Sequence, residues 1–427
     1  MAHARFAPGP LGGSVDVPGD KSISHRALML GGVCGGPVAI TGPNRGADVL
    51  ASRDAMRALG VHVADDGADF VVRGGQLRDP AGPIDARNSG TTARLLMGLC
   101  AGHGIVARFD GDASLRRRPM ERVARPLRAL GAAVETTDGR LPAVVRGIDA
   151  PVGGSYALEL PSAQLKSAIL FACLRASGDV RITGDAHSRD HTERMLRHFG
   201  REVVSDGREV LMRPGHMTGA DVAVPGDLSA AAFFLGGAAV TPGSDVVVRG
   251  VGINPTRTGI LDALRSMGAD VTLEHERLQS GEPTADIRVR HAPLHAIDLG
   301  GDLVIRAIDE IPVLAAIAAF AAGTTRIRDA ADLRTKESDR LSAIAALLRA
   351  CGVDARETRD GLEITGGRPQ PARTPIATHD DHRIAMSAAV VAAGAGPLEI
   401  DDADCAAVSF PGFAAVWQSA QASAAGR

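Results

Sequence analysis

Lysine is nearly absent from this chain. Of 47 Lys and Arg residues, only Lys21, Lys166 and Lys336 are lysines. Aromatic residues make up 3%, with one Trp and one Tyr. A core must therefore be built from Ala, Val, Leu and Ile, which suits helices packed closely on sheets. The net charge of -3 leaves no basic excess, so nucleic acid is not an expected partner. No run of about 18 apolar residues lacks a charge, and no membrane span or membrane partner is expected. The longest apolar stretch, Ile311 to Gly323, has the length of a buried helix. Cysteine is limited to Cys34, Cys100, Cys173, Cys351 and Cys405, without CxxC or CxxH spacing. That pattern argues against a disulfide framework or a zinc site and points to a reduced, cytoplasmic protein. The N-terminus lacks a signal-peptide pattern, and no GxxxxGK[ST] phosphate loop occurs.

A repeat is present instead. A helical phrase, a glycine and a β-branched run recur at Leu59-Gly60-Val61, Leu130-Gly131-Ala132, Phe199-Gly200, Met267-Gly268-Ala269 and Cys351-Gly352-Val353. The period is about 70 residues, the scale of a repeated supersecondary unit. The glycine predicts a left-handed helix end and the alternation after it a strand. Each phrase is preceded by a polar opener and an Ala/Leu/Gly-rich helix. The openers are Ser22, Ser89, Ser162, Asp227, Asp309 and Asp381. Six α/β units result, and a chain of 427 residues divides most simply into two domains of three. The boundary is expected near Val224-Pro225-Gly226. Ser14 to Val17 alternates like a strand that could complete either domain.

The openers are good N-cap types. A helix N-terminus also attracts anions, and several openers carry more charge than a cap requires. Lys21 and Ser22 stand beside Arg26, which shares a helix face with Ser22. Asn88-Ser89-Gly90-Thr91-Thr92 offers backbone N–H groups with a glycine for close approach. Arg116-Arg117-Arg118-Pro119 concentrates positive charge, and the proline closes any helix before it. Lys336 and Arg340 lie four apart around Glu337, and Arg383 follows Asp381-His382. If these groups converge, they suit a ligand with several negative charges, such as phosphate and carboxylate. Asp309, Glu310 and Glu337 are the candidate proton-transfer groups. His379-Asp380-Asp381-His382 has metal-ligand composition, but it runs straight into Arg383 and no metal is expected.

Taken in order, the phrases Pro18-Gly19-Asp20-Lys21-Ser22-Ile23-Ser24-His25-Arg26, Asn88-Ser89-Gly90-Thr91, Arg118-Pro119, Ser162-Ala163-Gln164, Asp309-Glu310, Lys336-Glu337-Ser338-Asp339-Arg340, Asp381-His382-Arg383 and Ser409-Phe410-Pro411 cover nearly the whole chain. In this order they closely resemble the 5-enolpyruvylshikimate-3-phosphate synthase family of enolpyruvyl transferases. The resemblance implies an α/β fold of two similar domains, each of three repeated α/β units, forming an inside-out α/β barrel. The active site would lie in the interdomain cleft. The implied domains are residues 19–224 and residues 1–18 plus 225–427, with the N-terminal strand joining the second. The implied reaction transfers the enolpyruvyl group of phosphoenolpyruvate to the 5-hydroxyl of shikimate 3-phosphate and releases phosphate, in the pathway to aromatic amino acids.

The resemblance also implies residue roles. Lys21, Ser22, Arg26, Ser162, Ala163, Gln164, Arg189, Asp309 and Lys336 would hold shikimate 3-phosphate. Lys21, Gly90, Arg118, Gln164, Arg340 and Arg383 would hold phosphoenolpyruvate. Asp309 would take the hydroxyl proton, and Glu337 would serve proton transfer at the methylene carbon, with Lys21 beside both substrates. No metal or organic cofactor is implied, and a cytoplasmic monomer is expected.

Two positions depart from the family pattern. Val408 stands before Ser409-Phe410-Pro411, where many members carry lysine, and Leu95 stands where some carry proline. The related enzymes acting on UDP-N-acetylglucosamine use a reactive cysteine before an Arg-Pro pair. The stretch Asp112 to Arg117 before Arg118-Pro119 has none. A catalytically dead anion-binding relative would be expected to lose Asp309 or Glu337, and both are present.

Overall fold

The computed structural model describes residues 3–159, 161–184 and 188–426. The chain splits into two compact units. One comprises Gly19–Val224 with Gln279–Glu282, and the other Met1–Pro18, Pro225–Leu278 and Pro283–Arg427.

The unit Gly19–Val224 holds three sheets of four strands with one plan. A short edge strand runs parallel to a central strand, which pairs antiparallel with the last strand of a hairpin. The three sets are Val222–Ala223, Pro37–Thr41, Asp69–Arg73 and His62–Asp66; Ile84–Asp85, Val106–Asp110, Arg140–Arg146 and Ala133–Thr137; and Gly154–Ala157, Val180–Thr183, Glu209–Met212 and Val203–Ser205. The last strand of the unit thus completes its first sheet.

The other unit repeats the plan twice. Gly12–Val15 runs parallel to Asp245–Gly252, beside Glu282–Arg290 and Asp270–Gln279. Asp298–Leu299 runs parallel to Thr324–Ile327, beside Leu362–Thr365 and Asp354–Glu357. The sixth repeat departs from the expected unit. Among the described residues it has Leu398–Ile400 paired antiparallel with Ala4–Phe6 and a single parallel bridge from Ile376 to Ile400, and the helix Phe413–Ala425, which the repeat pattern did not anticipate, packs against the Gly12–Val15 strand. The sheets stay separate, so the inside-out barrel is one of sheets around buried helices.

Those helices are Lys21–Gly31, Gly90–Ala101 and Ala163–Ala172 in the first unit, and Leu228–Val240, Ile311–Ala318 and His382–Ala395 in the second. Every residue of Leu228–Val240 and Ile311–Ala318 is buried. A helix apolar on all faces must sit inside a core, and alanine and glycine let neighbours come close. In the first unit the only residues of these helices that are not buried are Lys21 and Ser22, Thr91 and Arg94, and Ala163, Gln164 and Leu165. Contact with solvent is therefore confined to the first turns. Scarce aromatics collect in the second unit, where Phe6, Phe233, Phe234, Phe410, Phe413 and Trp417 form one cluster with ring centroids 5.4–6.1 Å apart. Phe410 of the Ser-Phe-Pro phrase is thus a core residue.

The five helix-ending glycines have φ of 92° at Gly60, 104° at Gly131, 81° at Gly200, 93° at Gly268 and 75° at Gly352, as the repeat phrase predicts. Two expected caps differ. Asp20, not Ser22, caps the first core helix, accepting from Ile23 N at 2.9 Å, because the helix already begins at Lys21. Asp309 is not a cap either, since the Ile311 helix starts two residues later behind Glu310.

The Gly90 and Ala163 helices meet backbone to backbone. A Cβ at Gly98 would lie 2.2 Å from the Ala168 carbonyl oxygen, and one at Gly102 would lie 1.6 Å from that of Ala172. No rotamer change relieves a clash with backbone. Gly102→Ala is expected to cost at least ~1–3 kcal/mol in urea unfolding. Gly82→Ala, where nothing lies within 4 Å, should change stability by less than about 0.5 kcal/mol.

Candidate functional site

In the Gly19–Val224 unit, the candidate residues gather at the first turns of the three core helices. Gly19 lies where a Cβ would meet the Gly42 carbonyl oxygen at 2.0 Å, so the chain can pass there only without a side chain. Lys21 follows at the first helical position, and its Nζ lies 3.0 Å from Asp48 Oδ2. Ser22 is half-buried, and its carbonyl accepts from Arg26 Nη1 at 2.9 Å. Arg26 is buried and donates also from Nε to Thr192 Oγ1 at 2.7 Å and from Nη2 to Ser167 Oγ at 2.8 Å. Burial brings its pKa down to about 10, opposed by Glu193 and Asp20. Arg26 is thus a charged strut between two core helices and the His191–His198 helix, with Arg189 close enough to be felt as a like charge.

Ser89 caps the second core helix, accepting from Thr92 N at 3.1 Å. A buried chain of hydroxyls runs from it, with Thr92 Oγ1 to Ser89 Oγ at 2.7 Å, Ser52 Oγ to Thr92 Oγ1 at 2.7 Å and His25 Nδ1 to Ser52 Oγ at 2.7 Å. Burial, with Lys21 and Arg26 nearby, holds His25 well below its ordinary pKa. The chain therefore joins the Lys21 and Gly90 turns without a buried imidazolium.

Gln164 sits between the second and third helices. Its Oε1 accepts from Arg94 Nη1 at 2.7 Å and its Nε2 donates to Thr91 Oγ1 at 2.9 Å. Ser162 caps its helix, accepting from Leu165 N at 3.4 Å, with Ala163 half-buried beside it. Gly90 faces Arg94 and Arg118; a Cβ there would lie 2.7 Å from Arg94 Nη1 and 3.4 Å from Arg118 Nη1. The three-arginine run divides. Arg116 pairs with Asp110 at the surface and Arg117 is exposed, while Arg118 is buried and donates to Asn88 Oδ1. Arg189 is half-buried on the loop before His191. The chain's middle lysine, Lys166, is not at the surface; it is 1% exposed and lies 2.8 Å from Glu193.

In the second unit, Asp309 stands among cations. Its carboxylate is 4.0 Å from Lys336 Nζ, 3.7 Å from Arg340 Nη1 and 4.0 Å from Arg383 Nη2, and its carbonyl accepts from Arg383 Nη1 at 2.7 Å. Lys336 also pairs with Asp332 at 2.9 Å. Glu337 lies 2.6 Å from Arg340 Nη2. Arg340 is buried and grips Asp381 with Nε at 2.8 Å and Nη2 at 3.2 Å. Burial opposes its charge, but Asp381, Glu337 and Asp309 outweigh burial and hold its pKa above the ordinary arginine value. Burial likewise raises Asp381, yet Arg340 prevails and keeps it below the usual carboxylate range, against Glu337. Behind Asp309, the buried Glu310 accepts from Ser229 Oγ and lies 3.5 Å from Arg257 and 3.8 Å from Arg383. His379 and Asp380 are exposed while Asp381 and His382 are buried, so the four do not share a face. Among the described residues no three His, Cys, Asp or Glu side chains are placed to hold a metal ion.

Most candidates named from the sequence lie in one of these two clusters, whereas Arg116 and Arg117 stand at the surface. Sequence reasoning missed Arg94, Asp48 and the second role of Asp381. Arg94 falls one turn beyond Gly90, a spacing that could have revealed it. Asp48 lies 27 positions from Lys21 and has no local signal. Asp381 was read as a cap, and it does accept from Arg383 N at 3.0 Å while binding Arg340 as well.

The model of the family described as EPSP synthase (3-phosphoshikimate 1-carboxyvinyltransferase) matches residues 6–417. The 3-phosphoshikimate 1-carboxyvinyltransferase of Geobacter sulfurreducens is 47% identical over 412 residues, covering 95% of this chain and 96% of that protein. Its counterpart from Synechocystis is 47% identical over 432 residues, covering 97% and 96%. Among solved structures, EPSP synthase from Acinetobacter baumannii superimposes with a TM-score of 0.85 at 42% identity, covering 99% of this chain and 98% of that one. The enolpyruvyl transferase NikO from Streptomyces tendae, at 18% identity with a TM-score of 0.78, covers 97% and 96% and shares the fold.

The Arg340–Asp381 pair has a stability consequence. The folded-state pKa of Asp381 is depressed, so its contribution is complete above the unfolded carboxylate value near ~4 and fades as pH falls through the lower folded value. Asp381→Asn removes the fully buried carboxylate that binds Arg340, leaving Glu337 and Asp309 to balance it, and should cost about 3 kcal/mol at neutral pH. Urea unfolding at pH 7 and at pH 3 checks this. The gap between wild type and variant should narrow at the lower pH.

Proposed function

The chain belongs to the EPSP synthase family, and from that premise we propose that it transfers the 1-carboxyvinyl group of phosphoenolpyruvate to the 5-hydroxyl of shikimate 3-phosphate, releasing phosphate. The observation that carries the reading at residue level is the setting of Asp309, a carboxylate with Lys336, Arg340 and Arg383 at 3.7–4.0 Å. Neighbouring cations favour the charged form of a carboxylate, and a charged carboxylate can accept a hydroxyl proton.

Asp309 takes the proton of the 5-hydroxyl as that oxygen bonds to C2 of phosphoenolpyruvate, and C3 gains a proton to become a methyl group. The tetrahedral adduct then loses the methyl proton and expels phosphate, restoring the vinyl double bond. Glu337 is the proton carrier at C3, oriented by Arg340 at 2.6 Å. Lys21 and Lys336, as compact point charges, and the arginine forks hold the phosphate and carboxylate groups. Ser22, Arg26, Ser162, Ala163, Gln164 and Arg189 serve shikimate 3-phosphate. Gly90, Arg118, Gln164, Arg340 and Arg383 serve phosphoenolpyruvate, with Lys21 serving both. Val408, half-buried at the end of the short helix Asp404–Val408, contributes no charge. The protein is assigned to the cytoplasm and to action as a monomer.

A steady-state phosphate-release assay tests the proposal. Turnover is expected with shikimate 3-phosphate as acceptor and not with UDP-N-acetylglucosamine; the reverse preference would overturn it. Asp309→Ala should lower kcat by about a hundredfold or more while calorimetry shows shikimate 3-phosphate still binding. Near-normal turnover would remove Asp309 from this role.

The cysteines give an independent check. All five are buried, and burial pushes the thiols up, to about 12 at Cys173 and Cys405 and about 11 at Cys351. Iodoacetamide at pH 7.5 should leave the rate unchanged over hours, because the thiolate is the reactive form. Rapid inactivation blocked by substrate would indicate a cysteine-dependent reaction.

A further inference from the structure

The Gly19–Val224 unit contains a cavity of about 640 Å³ at the far end of its core helices from Lys21, Gly90 and Gln164. Val33, His103 and Leu174 line it just beyond the C-termini of the three helices. The helices have 10 to 12 residues, so about 15–18 Å of helix separates the cavity from the candidate site. The volume is of the size that holds a metabolite.

Its charge is unusual. Arg201, on the cavity wall, is 3% exposed. Among the described residues no carboxylate lies within ion-pair distance of it and no acceptor takes a hydrogen bond from its side chain, and its Nε is shielded from solvent. The other buried arginines have acceptors: Arg26 has three, Arg340 has Asp381 and Glu337, and Arg257 has Ser229 and Glu310. Arg78, also on the wall, likewise has no ion pair among the described residues. The carboxylates of the wall have other partners, Asp149 with Arg175, which also lines the cavity, and Asp79 with the Val106 N–H at 2.8 Å. A buried guanidinium with no counter-charge is costly, and an oxyanion in the cavity would relieve that cost. The helix C-termini carry partial negative charge, which disfavours a bare anion and favours one that also bears hydroxyl donors.

We propose that this cavity is a second ligand site, separate from the candidate active site, in which Arg201 and Arg78 bind a metabolite-sized oxyanion carrying hydroxyl groups, such as a hydroxy acid or a sugar phosphate. The proposal does not depend on the activity assigned above. Citrate is a suitable probe, with tricarballylate, which lacks the hydroxyl, and inorganic phosphate as comparisons.

Thermal unfolding and calorimetry of the intact chain test it. Without citrate, Arg201→Met should be at least as stable as wild type, because it removes an uncompensated buried charge. With millimolar citrate, wild type should gain in Tm and Arg201→Met should not. Arg78→Gln, at an exposed position, guards against a folding defect and should weaken citrate binding about tenfold. Tricarballylate and phosphate should bind more weakly than citrate to wild type. Stabilisation by citrate that persists in both variants would place the anion elsewhere and overturn the proposal. So would an equal loss of Tm in Arg201→Met with and without citrate, which would make Arg201 a purely structural residue.

Discussion

A helix buried on every side meets solvent only at its ends, and the candidate site follows from that constraint. In the first unit the core helices expose residues only near their first turns. That end already bears partial positive charge, so cations are unfavourable there by ~0.3–1 kcal/mol each. Lys21 and Arg383 nevertheless occupy the first or second positions of core helices, and Arg340 opens the separate helix Arg340–Ala350. Each stands next to or two residues after an aspartate that caps the same helix, Asp20, Asp339 or Asp381. The carboxylate cap offsets the cation and leaves its outward charge available. Cations repeated at the wrong end of a helix are poor design for stability and good design for an anionic ligand.

The two clusters differ in balance. In the second unit the cations Lys336, Arg340 and Arg383 meet the carboxylates Asp309, Glu310, Asp332, Glu337 and Asp381. Such a set carries no excess of positive charge and orients its carboxylates, which suits proton transfer. In the first unit Arg26, Arg94, Arg118 and Arg189 accompany Lys21, and Asp48 is the carboxylate beside Lys21. That excess of positive charge suits phosphate. Division of labour between proton transfer and charge binding is what an addition–elimination through a phosphorylated adduct requires.

The repeat and the core helices were legible because both obey local rules. A glycine forced to positive φ leaves the same mark after each helix, and all-apolar helices announce their burial. The sixth sheet was not legible. Its strand Leu398–Ile400 pairs with Ala4–Phe6, almost 400 positions away, and no local pattern specifies such a partner. The cap at Asp20 was misassigned to Ser22 because both residues are good caps, and only the path of Gly19 past Gly42 fixes where the helix starts. Asp309 looked like an opener because Pro312 and the apolar run follow it. The chain gives the cap position to Glu310 and holds Asp309 outside the helix, free of a cap's duty and facing Lys336 and Arg340.

The scarcity of lysine has a different cause at each survivor. Lys21 and Lys336 sit at partly exposed positions, Lys21 3.0 Å from Asp48 and Lys336 2.9 Å from Asp332 and 4.0 Å from Asp309, where a flexible point charge can turn to a ligand. Lys166 has no such freedom. Its ammonium is enclosed with Glu193 and donates to the Ser188 carbonyl at 3.2 Å, and burial holds Glu193 above the ordinary carboxylate value, against Lys166. A guanidinium there would bring five N–H donors to a space with few acceptors. The contact ties the helix that carries Ser162 and Gln164 to the loop that carries Arg189. Lys166 therefore acts through position: from beneath, it fixes the spacing between the helix of Ser162 and Gln164 and the loop of Arg189.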